Sequence, residues 1–355
     1  MSLSLAPLGW LYGAVTRARL RLYRSGLIKT ERVGAPVVSV GNLTAGGTGK
    51  TPLVEWFARA LAREGLRACV LTRGYGRADE SARVLASDGA RVLAEVAECG
   101  DEPRLLAERL LGAASVVCDR DRVAAARWAR GELGAEVFVL DDGFQHLRIA
   151  RDLDVVTLDA TDPWGGGHLL PRGRLREPKS ALARAGCVVI TRAELAEDLD
   201  ALRAEVGRLV GGGVAVVTSR VRTRGIVPLG EFGRSEDEVA AVGTSEPSGA
   251  RAPVAAFCAV GNPRAFFEHL RREGFELSYT RAFADHHSYT AADADALSRE
   301  AARGGARALL TTAKDAVKLR GLDFALPCLV VEVGMEFDDE ARLLNLLRSA
   351  VSAPR

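Results

Sequence analysis

The sequence has no marked excess of charge of either sign. Forty-eight Lys and Arg residues stand against 46 Asp and Glu residues, and nearly half of the 355 residues are apolar. A chain that binds nucleic acid over much of its surface usually carries a strong basic excess, whereas this composition is that of a folded globular protein. The sequence therefore gives no support to nucleic acid as a partner.

The sequence also lacks closely spaced cysteines. It has six cysteines but no C-x-x-C pair, so we predict no zinc or dithiol redox centre of that kind. Five of the six lie in apolar runs, which predicts small buried side chains and reduced thiols in the cytosol. These five are Cys69, Cys118, Cys187, Cys258 and Cys328. The adjacent His286 and His287 have no partner at ligand spacing, which also argues against zinc.

The first thirty residues lack the ~20 consecutive apolar positions that a membrane-spanning helix needs. Their charges follow the apolar part, unlike those of a signal peptide. On a helical wheel one side holds Leu8, Leu11, Tyr12, Val15, Leu22 and Tyr23, and the other holds Arg17, Arg21 and Arg24, with Arg19 among the apolar residues. Residues 1–30 are thus predicted to form a basic amphipathic helix. It either lies on an anionic membrane surface or packs on the protein's own core.

Short β-branched runs alternate with helical patterns from Pro36 to about Cys187. The runs are PVVSV, ACVLT, SVVCD, VFVLDD, DVVTLD and CVVIT. Such continuous apolar runs are typical of parallel strands buried on both faces. We therefore predict a doubly wound, mainly parallel α/β domain over residues 31–222. Its last strand-like run, VAVVTSRV, ends near Val221.

A polar segment separates this region from a second alternation of strands and helices. Residues 223–252 are rich in Gly, Ser, Pro and acidic side chains, which predicts a linker or an insertion. Residues 253–355 alternate again between apolar runs and helical patterns. This predicts a second, smaller α/β domain that ends in an amphipathic helix.

A glycine-rich turn joins the first predicted strand to the first helix of the larger domain. The sequence GNLTAGGTGKTP, Gly41–Pro52, fits G-x-x-x-x-G-K-[ST] except that Thr44 replaces the first glycine. A helix N-terminus gathers phosphate oxygens, and in such loops Lys50 reaches the β and γ phosphates while the Thr51 hydroxyl can bind Mg²⁺. We predict an ATP-binding loop, a P-loop, formed by Thr44, Ala45, Gly46, Gly47, Thr48, Gly49, Lys50 and Thr51. A chance glycine turn is the alternative.

Two carboxylates follow a strand-like run in VFVLDDGFQH. In P-loop enzymes an acid at the end of a neighbouring strand holds the Mg²⁺, directly or through water. We expect Asp141 and Asp142 to act with Mg²⁺, one of them as a metal ligand and the other as a further carboxylate that handles a proton. The sequence leaves open which is which. Guanine-binding proteins usually carry N-K-x-D on a later strand, and the nearest candidate, Lys314–Asp315, has no preceding asparagine, which favours ATP.

Charged and aromatic residues also follow several other predicted strands. The carboxyl ends of parallel strands are where α/β domains build their sites. The candidates at these ends include Tyr75, Arg77, Arg120, Arg176 and Glu177. Asp101 comes at a predicted helix start, where the helix dipole favours a carboxylate. A helix cap with no other role is the alternative for Asp101.

Seven segments, in this order, resemble the tetraacyldisaccharide 4'-kinase family of lipid A synthesis. They are GNLTAGGTGKTP, LTRGYGR, GDEP, DDGFQH, LPRGRLREP, ADHHSY and TTAKDAVKL. The family's loop departs from the glycine pattern at the position of Thr44 as well. The resemblance implies a kinase that takes the γ-phosphate of ATP. It passes this group to the 4'-hydroxyl of a membrane-embedded tetraacylated glucosamine disaccharide 1-phosphate, forming lipid IV-A.

The resemblance also implies roles for individual residues. Asp101 is expected to be the catalytic base, with His286 as the partner that orients the carboxylate and raises its basicity. The candidates that follow the strands, arginines above all, are expected to bind the phosphorylated sugar. The implied cofactors are ATP and Mg²⁺, and the implied location is the cytoplasmic face of the inner membrane, with peripheral attachment and no obligate protein partner.

Two other functions remain open from the residues alone. A soluble P-loop kinase or ligase of a small metabolite would need no basic amphipathic N-terminus. A nucleotide-switched regulatory NTPase would hydrolyse ATP or GTP slowly without a sugar acceptor.

Overall fold

The computed structural model describes residues 5–233 and 253–352. Its strands are β1 (Val37–Asn42), β2 (Ala68–Thr72), β3 (Val84–Ser87), β4 (Ala114–Cys118), β5 (Val137–Asp141), β6 (Leu153–Asp159), β7 (Cys187–Thr191), β8 (Ala215–Pro228), β9 (Val254–Cys258), β10 (Leu277–Ala282), β11 (Leu309–Thr312) and β12 (Cys328–Phe337). Its α-helices are α1 (Ala6–Arg24), α2 (Lys50–Arg63), α3 (Val96–Cys99), α4 (Asp101–Arg109), α5 (Arg122–Glu132), α6 (Leu199–Val210), α7 (Pro263–Arg272), α8 (Ala291–Arg303), α9 (Ala313–Leu319) and α10 (Glu340–Ser352).

Within the described residues the twelve strands form one sheet, in the order β10-β9-β11-β12-β8-β7-β6-β1-β5-β2-β4-β3. All neighbouring pairs are parallel except β3 with β4 and β8 with β12. The six apolar runs of the first alternation became β1, β2, β4, β5, β6 and β7, whose residues are all buried. The predicted doubly wound, mainly parallel α/β architecture is therefore confirmed. The edge strand β3 had not been predicted.

A long antiparallel pair of strands links the two halves of the sheet. β8 is parallel to β7 near its start and then runs antiparallel to β12, from Ser219 opposite Phe337 to Pro228 opposite Leu329. The strand predicted to end near Val221 thus continues to Pro228, so the predicted linker 223–252 begins inside a strand. Residues 234–252 lie outside the described part of the chain. The division into domains stays a prediction.

Helices on both faces bury the sheet. On one face α2, α4 and α10 contribute Leu53, Phe57, Leu106 and Leu343 to one apolar cluster. On the other face α5 packs its alanines on β1, β2 and β5. All six cysteines are buried and free, as the apolar context of five of them had predicted.

The N-terminal helix α1 contacts the rest of the protein through its small residues. Gly9 and Gly13 are its buried positions, and a Cβ on Gly13 would lie 2.7 Å from Leu169 Cδ1. The apolar stripe faces away, because Leu8, Leu11 and Val15 are 52%, 63% and 59% exposed. In the described ranges, no helix combines the length and the apolar character needed to cross a membrane.

We expect Gly41→Ala to destabilise the fold. A Cβ on Gly41, in the central strand β1, would lie 2.5 Å from Phe144 Cβ and 2.6 Å from Phe144 N. Such overpacking typically costs about 1–3 kcal/mol, which should lower the midpoint of thermal unfolding. Gly207→Ala in α6 is the matched control, because no atom outside the neighbouring backbone of its own helix lies within 4 Å of the added carbon. The control should be stabilised by about 0.5–1 kcal/mol, and equal midpoints for the two variants would contradict the packing argument.

Candidate functional site

The P-loop lies between the end of β1 and the start of α2, as its sequence predicted. Gly46 and Gly49 adopt positive φ values of 114° and 79°, which glycine does at little cost. Thr44 does not belong to the residues with positive φ, so its backbone has no need of a glycine. Its side chain is buried, and its backbone forms an isolated antiparallel bridge to Leu175.

Residues from distant parts of the chain hold the P-loop in place. Thr191 Oγ1 donates a hydrogen bond to Thr48 O at 2.9 Å, and Arg192 Nη1 donates to Gly47 O at 3.1 Å. From the other half of the sheet, Gly261 approaches so closely that a Cβ there would lie 2.3 Å from Gly47 N. The sequence patterns did not reveal these contacts, because none of the three residues belongs to a P-loop motif.

Lys50 and Arg176 share Asp142 as their partner. Lys50 Nζ lies 3.4 Å from Asp142 Oδ1, and Arg176 Nη1 lies 2.9 and 2.7 Å from the two carboxylate oxygens. Burial raises the pKa of Asp142, but the two cations outweigh it and lower that pKa to about 2. Asp142 therefore stays ionised and brings two positive side chains to the mouth of the P-loop.

Asp141 is in the opposite electrostatic state. It is buried at the end of β5 and accepts a hydrogen bond from Thr72 Oγ1 at 3.0 Å. Burial raises its pKa to about 6, and the negative charges of Glu102 and Asp142 act in the same direction. The surroundings of Asp141 are thus short of positive charge.

This shortage fits a divalent cation. Mg²⁺ is usually held by one or two carboxylates together with phosphate oxygens and water, and the Thr51 hydroxyl, Asp141 and Asp142 supply suitable oxygens at the P-loop. In the described part of the chain no three His, Cys, Asp or Glu residues are grouped closely enough to hold a metal by themselves. A cation here would therefore depend on the nucleotide phosphates for the rest of its ligands.

Asp101 and His286, 185 positions apart in sequence, are in direct contact. His286 Nδ1 lies 2.9 Å from both carboxylate oxygens of Asp101. Asp101 is buried at the first position of α4, and His286 lies in the loop between β10 and α8 with a φ of 62°. A helix cap with a separate surface histidine, the alternative for Asp101, is therefore wrong as a description of the geometry.

The electrostatics of this dyad differ from the expectation. Burial raises the pKa of Asp101, but the hydrogen bond from His286 and the charges of Lys314 and Lys318 lower it to about 2. The hydrogen bond with Asp101 raises the pKa of His286, against burial and Lys314. The histidine thus makes the carboxylate a weaker base. A proton taken up by the pair rests on the imidazole.

The remaining predicted site residues lie in different surroundings. Tyr75 is exposed beside His286, with ring centroids 5.6 Å apart. Arg77 is buried and donates to the main-chain oxygens of residues 80 and 118. Glu177 pairs with Arg184 at 2.7 Å, whereas Arg120 is exposed and has no ion pair within residues 5–233 and 253–352. The structure therefore brings Tyr75 and Arg176 to the site, and gives Arg77 and Glu177 contacts that support neighbouring segments.

Other charged residues reach the site without having been predicted. Arg122, the first residue of α5, is only 5% exposed. Burial lowers its pKa, which Asp141 and Asp142 oppose. The sequence CDRDR contains both Arg120 and Arg122, and no periodic pattern tells which of them points inward. Lys314, which belongs to the segment TTAKDAVKL and was given no role in the site, lies beside the dyad, with Nζ 2.9 Å from Glu102 Oε1.

Comparisons with known proteins agree over nearly the whole chain. A model of the family described as tetraacyldisaccharide-1-P 4'-kinase (LpxK) matches residues 1–352. The tetraacyldisaccharide 4'-kinase of Anaeromyxobacter dehalogenans strain 2CP-C is 47% identical over 310 residues, which cover 87% of this chain and 79% of that protein. The tetraacyldisaccharide 4'-kinase of Syntrophotalea carbinolica is 40% identical over 351 residues, which cover 99% and 92% of the two chains.

A solved structure has the same architecture. The apo form of LpxK from Aquifex aeolicus, crystallised in complex with ATP, superimposes with a TM-score of 0.75 at 29% sequence identity. The match covers 99% of both chains, so the likeness includes both halves of the sheet.

We expect Asp101→Asn to lower the pKa of His286, because it removes the charge that stabilises the imidazolium. NMR titration of the full chain, labelled at its five histidines, would measure this after assignment with His286→Gln. The stability that the folded protein gains from the pairing of Asp101 with protonated His286 is complete below the ordinary pKa of 6.5. It disappears as the pH rises through the raised pKa of His286 in the folded protein. Asp293→Asn, which removes the partner of His287, is the control. An unchanged His286 titration in Asp101→Asn would contradict the pairing.

Proposed function

The chain belongs to the tetraacyldisaccharide-1-phosphate 4'-kinase family, and we propose that the P-loop and the Asp101–His286 dyad carry out that family's reaction. The protein is an ATP-dependent lipid kinase of lipid A biosynthesis. It transfers the γ-phosphate of ATP to the 4'-hydroxyl of tetraacylated glucosamine disaccharide 1-phosphate. The observation that carries the assignment of residues is the 2.9 Å contact between Asp101 and His286, because this reaction needs an acceptor for a hydroxyl proton.

The phosphate side of the reaction depends on positioned positive charge. Phosphoryl transfer spreads negative charge over the γ-phosphate oxygens, so fixed cations and main-chain N–H groups stabilise its transition state. Lys50 and Arg176, both held by Asp142, supply cations at the P-loop, and the start of α2 supplies the N–H groups. Oxygens of Thr51, Asp141 and Asp142 would hold Mg²⁺, which would offset the negative charge of the phosphates.

The hydroxyl side of the reaction depends on the dyad. The 4'-oxygen attacks the γ-phosphorus, the bond from that phosphorus to the oxygen of the departing ADP breaks, and the hydroxyl proton must leave the acceptor. The low pKa of Asp101 and the raised pKa of His286 favour the imidazole as its final place. Asp101 keeps the imidazole oriented and stabilises the imidazolium that forms. Tyr75, exposed beside His286, offers an aromatic face to the sugar.

Helix α1 is proposed to attach the protein peripherally to the cytoplasmic face of the inner membrane. Its apolar stripe is exposed and continues past the helix with Leu27, which is 77% exposed. Arg17, Arg19, Arg21 and Arg24 lie along the same helix. Apolar side chains of this kind enter the boundary between headgroups and acyl chains, while arginines bind anionic headgroups. An acylated substrate has to be reached at that surface.

The deciding experiment is phosphate transfer by the purified chain with and without the acylated disaccharide 1-phosphate. We expect acceptor-dependent ATP consumption and a 4'-phosphorylated product. Lys50→Ala should reduce kcat by at least ~10²-fold, because one positioned charge in the transition state is lost. Arg63→Ala, at the exposed far end of α2, should retain full activity. ATP hydrolysis that ignores the acceptor would favour the regulatory NTPase, and near-normal turnover in Lys50→Ala would remove the P-loop from the mechanism.

We expect the triple variant Leu8→Gln, Leu11→Gln and Val15→Gln to lose binding to vesicles that contain anionic lipid. Removing three apolar side chains from the interface should weaken partitioning by at least ~tenfold, as measured by vesicle sedimentation. Leu93→Gln with Leu111→Gln, two exposed apolar residues elsewhere on the protein, should bind as the unsubstituted chain does. Unchanged sedimentation of the α1 variant would show that the stripe does not contact the membrane.

A further inference from the structure

Helix α9 brings two lysines to the dyad. Lys314 and Lys318 are one helical turn apart, so both side chains point from the same face of α9 toward α4. Lys314 Nζ lies 2.9 Å from Glu102 Oε1, 3.2 Å from Asp285 Oδ1 and 4.0 Å from Asp101 Oδ2. Burial lowers the pKa of Lys314, but the three carboxylates outweigh it and raise that pKa. Lys314 is therefore a permanent positive charge beside Asp101.

Lys318 contacts the same carboxylate oxygen of Asp101 as Lys314 does. Its Nζ lies 3.5 Å from Asp101 Oδ2 and 3.4 Å from Asp315 Oδ1, and its side chain is 8% exposed. At these distances it has an ionic contact, and among the described residues its ammonium has no hydrogen-bond partner. A buried charge in this state is costly unless opposite charges surround it.

Asp315 has the role of an anchor for Lys318. It is fully buried, and its carboxylate accepts hydrogen bonds from Ala259 N, from Tyr289 Oη at 3.1 Å and from Thr312 Oγ1 at 2.7 Å. These bonds fix the carboxylate rigidly at the start of α9. Lys318, which lies between this fixed anion and Asp101, is consequently held against the dyad.

The carboxylates and the lysine nearest to His286 act on its protonated form in opposite directions. His286 contacts Asp101 of α4 and Asp285 of its own loop, and the neutral ring of Tyr75 lies beside it. Lys314 of α9 contacts both of these carboxylates as well as Glu102, and Lys318 contacts Asp101. Without the lysines, three carboxylates would stabilise a protonated imidazole. Such an imidazole would already hold a proton when the acceptor arrives and could not take another.

We propose that Lys314 and Lys318 are positioning residues that fix Asp101 and offset the carboxylates around His286, so that the imidazole is free to accept the hydroxyl proton. This inference rests on the proposed function, since it concerns the same dyad. The lysines belong to the C-terminal half of the sheet and Asp101 to the N-terminal half. The charge balance therefore exists only while α9 and α4 are in contact.

The test is the pH dependence of kcat, at saturating MgATP and acylated disaccharide 1-phosphate, for the full-length protein. In Lys314→Met the acid limb of the profile should move to higher pH by about one unit, as expected when a cation that lowers the pKa of His286 is lost. Activity should fall up to ~tenfold on that limb and recover at alkaline pH. KM for both substrates should change less than kcat. Lys314→Arg, which keeps the charge, should restore the limb.

Arg320→Met is the matched control for the contact between the two halves. Arg320 Nη2 pairs with Glu108 Oε2 at 2.8 Å across the same helix pair but makes no contact with Asp101. Its loss should leave the acid limb in place. If Lys314→Met lowers kcat by the same factor at every pH, the lysine is only structural and the inference is wrong.

A second measurement is independent of turnover. NMR titration of His286 should show a higher imidazole pKa in Lys314→Met than in the unsubstituted chain, and Lys318→Met takes its place if Lys314→Met does not fold. An unchanged imidazole titration would overturn the inference. If the unsubstituted enzyme transfers no phosphate to the acylated disaccharide, the proposed function is wrong. The titration of His286 would still test, independently, whether the lysines lower its pKa.

Discussion

The Asp101–His286 dyad depends on one contact, the packing of α9 against α4, because this contact brings the positive charges of Lys314 and Lys318 to the buried Asp101 carboxylate. Asp101 is buried, and an isolated ionised carboxylate in such a place would take up a proton instead. His286, Lys314 and Lys318 all reach it from the C-terminal half of the chain. The antiparallel pair β8–β12 keeps the two halves in one hydrogen-bonded sheet. The fold thus provides the charge compensation that neither half contains by itself.

Neighbouring charges and burial also determine which of the acidic residues at the site are ionised. Asp142 and Asp101 are surrounded by cations and have pKa values of about 2, so they act as fixed negative charges that orient Lys50, Arg176 and His286. Asp141 is buried, and burial together with the charges of Glu102 and Asp142 raises its pKa to about 6. Adjacent carboxylates in one motif therefore differ in electrostatic state, which their environments decide. A bound divalent cation would add positive charge beside Asp141.

Local patterns predicted the P-loop, the start of α2 and every described strand except β3, because the period of apolar residues and the positions of glycines determine these features within a few residues. Long-range packing decided the rest. Arg120 and Arg122 are indistinguishable in the sequence, and only the N-cap of α5 at Asp121 turns Arg122 inward. Arg77 has the same motif context as Tyr75 but is buried against main-chain oxygens. The pairing of Asp101 with His286 came from the family resemblance, since nothing local links residues 185 positions apart.

The packing of α1 relates its exposed apolar stripe to the phosphate site. Gly9 and Gly13 let the helix approach the loop that begins near Leu169, so its small face is used for docking and its large apolar side chains remain outside. The same loop continues to Arg176, whose guanidinium binds Asp142 at the P-loop. The segment from Leu169 to Arg176 thus connects the contact of α1 with the phosphate site. With α1 on the membrane surface as proposed, an acceptor whose acyl chains stay in the bilayer would present its sugar hydroxyl to the γ-phosphate there.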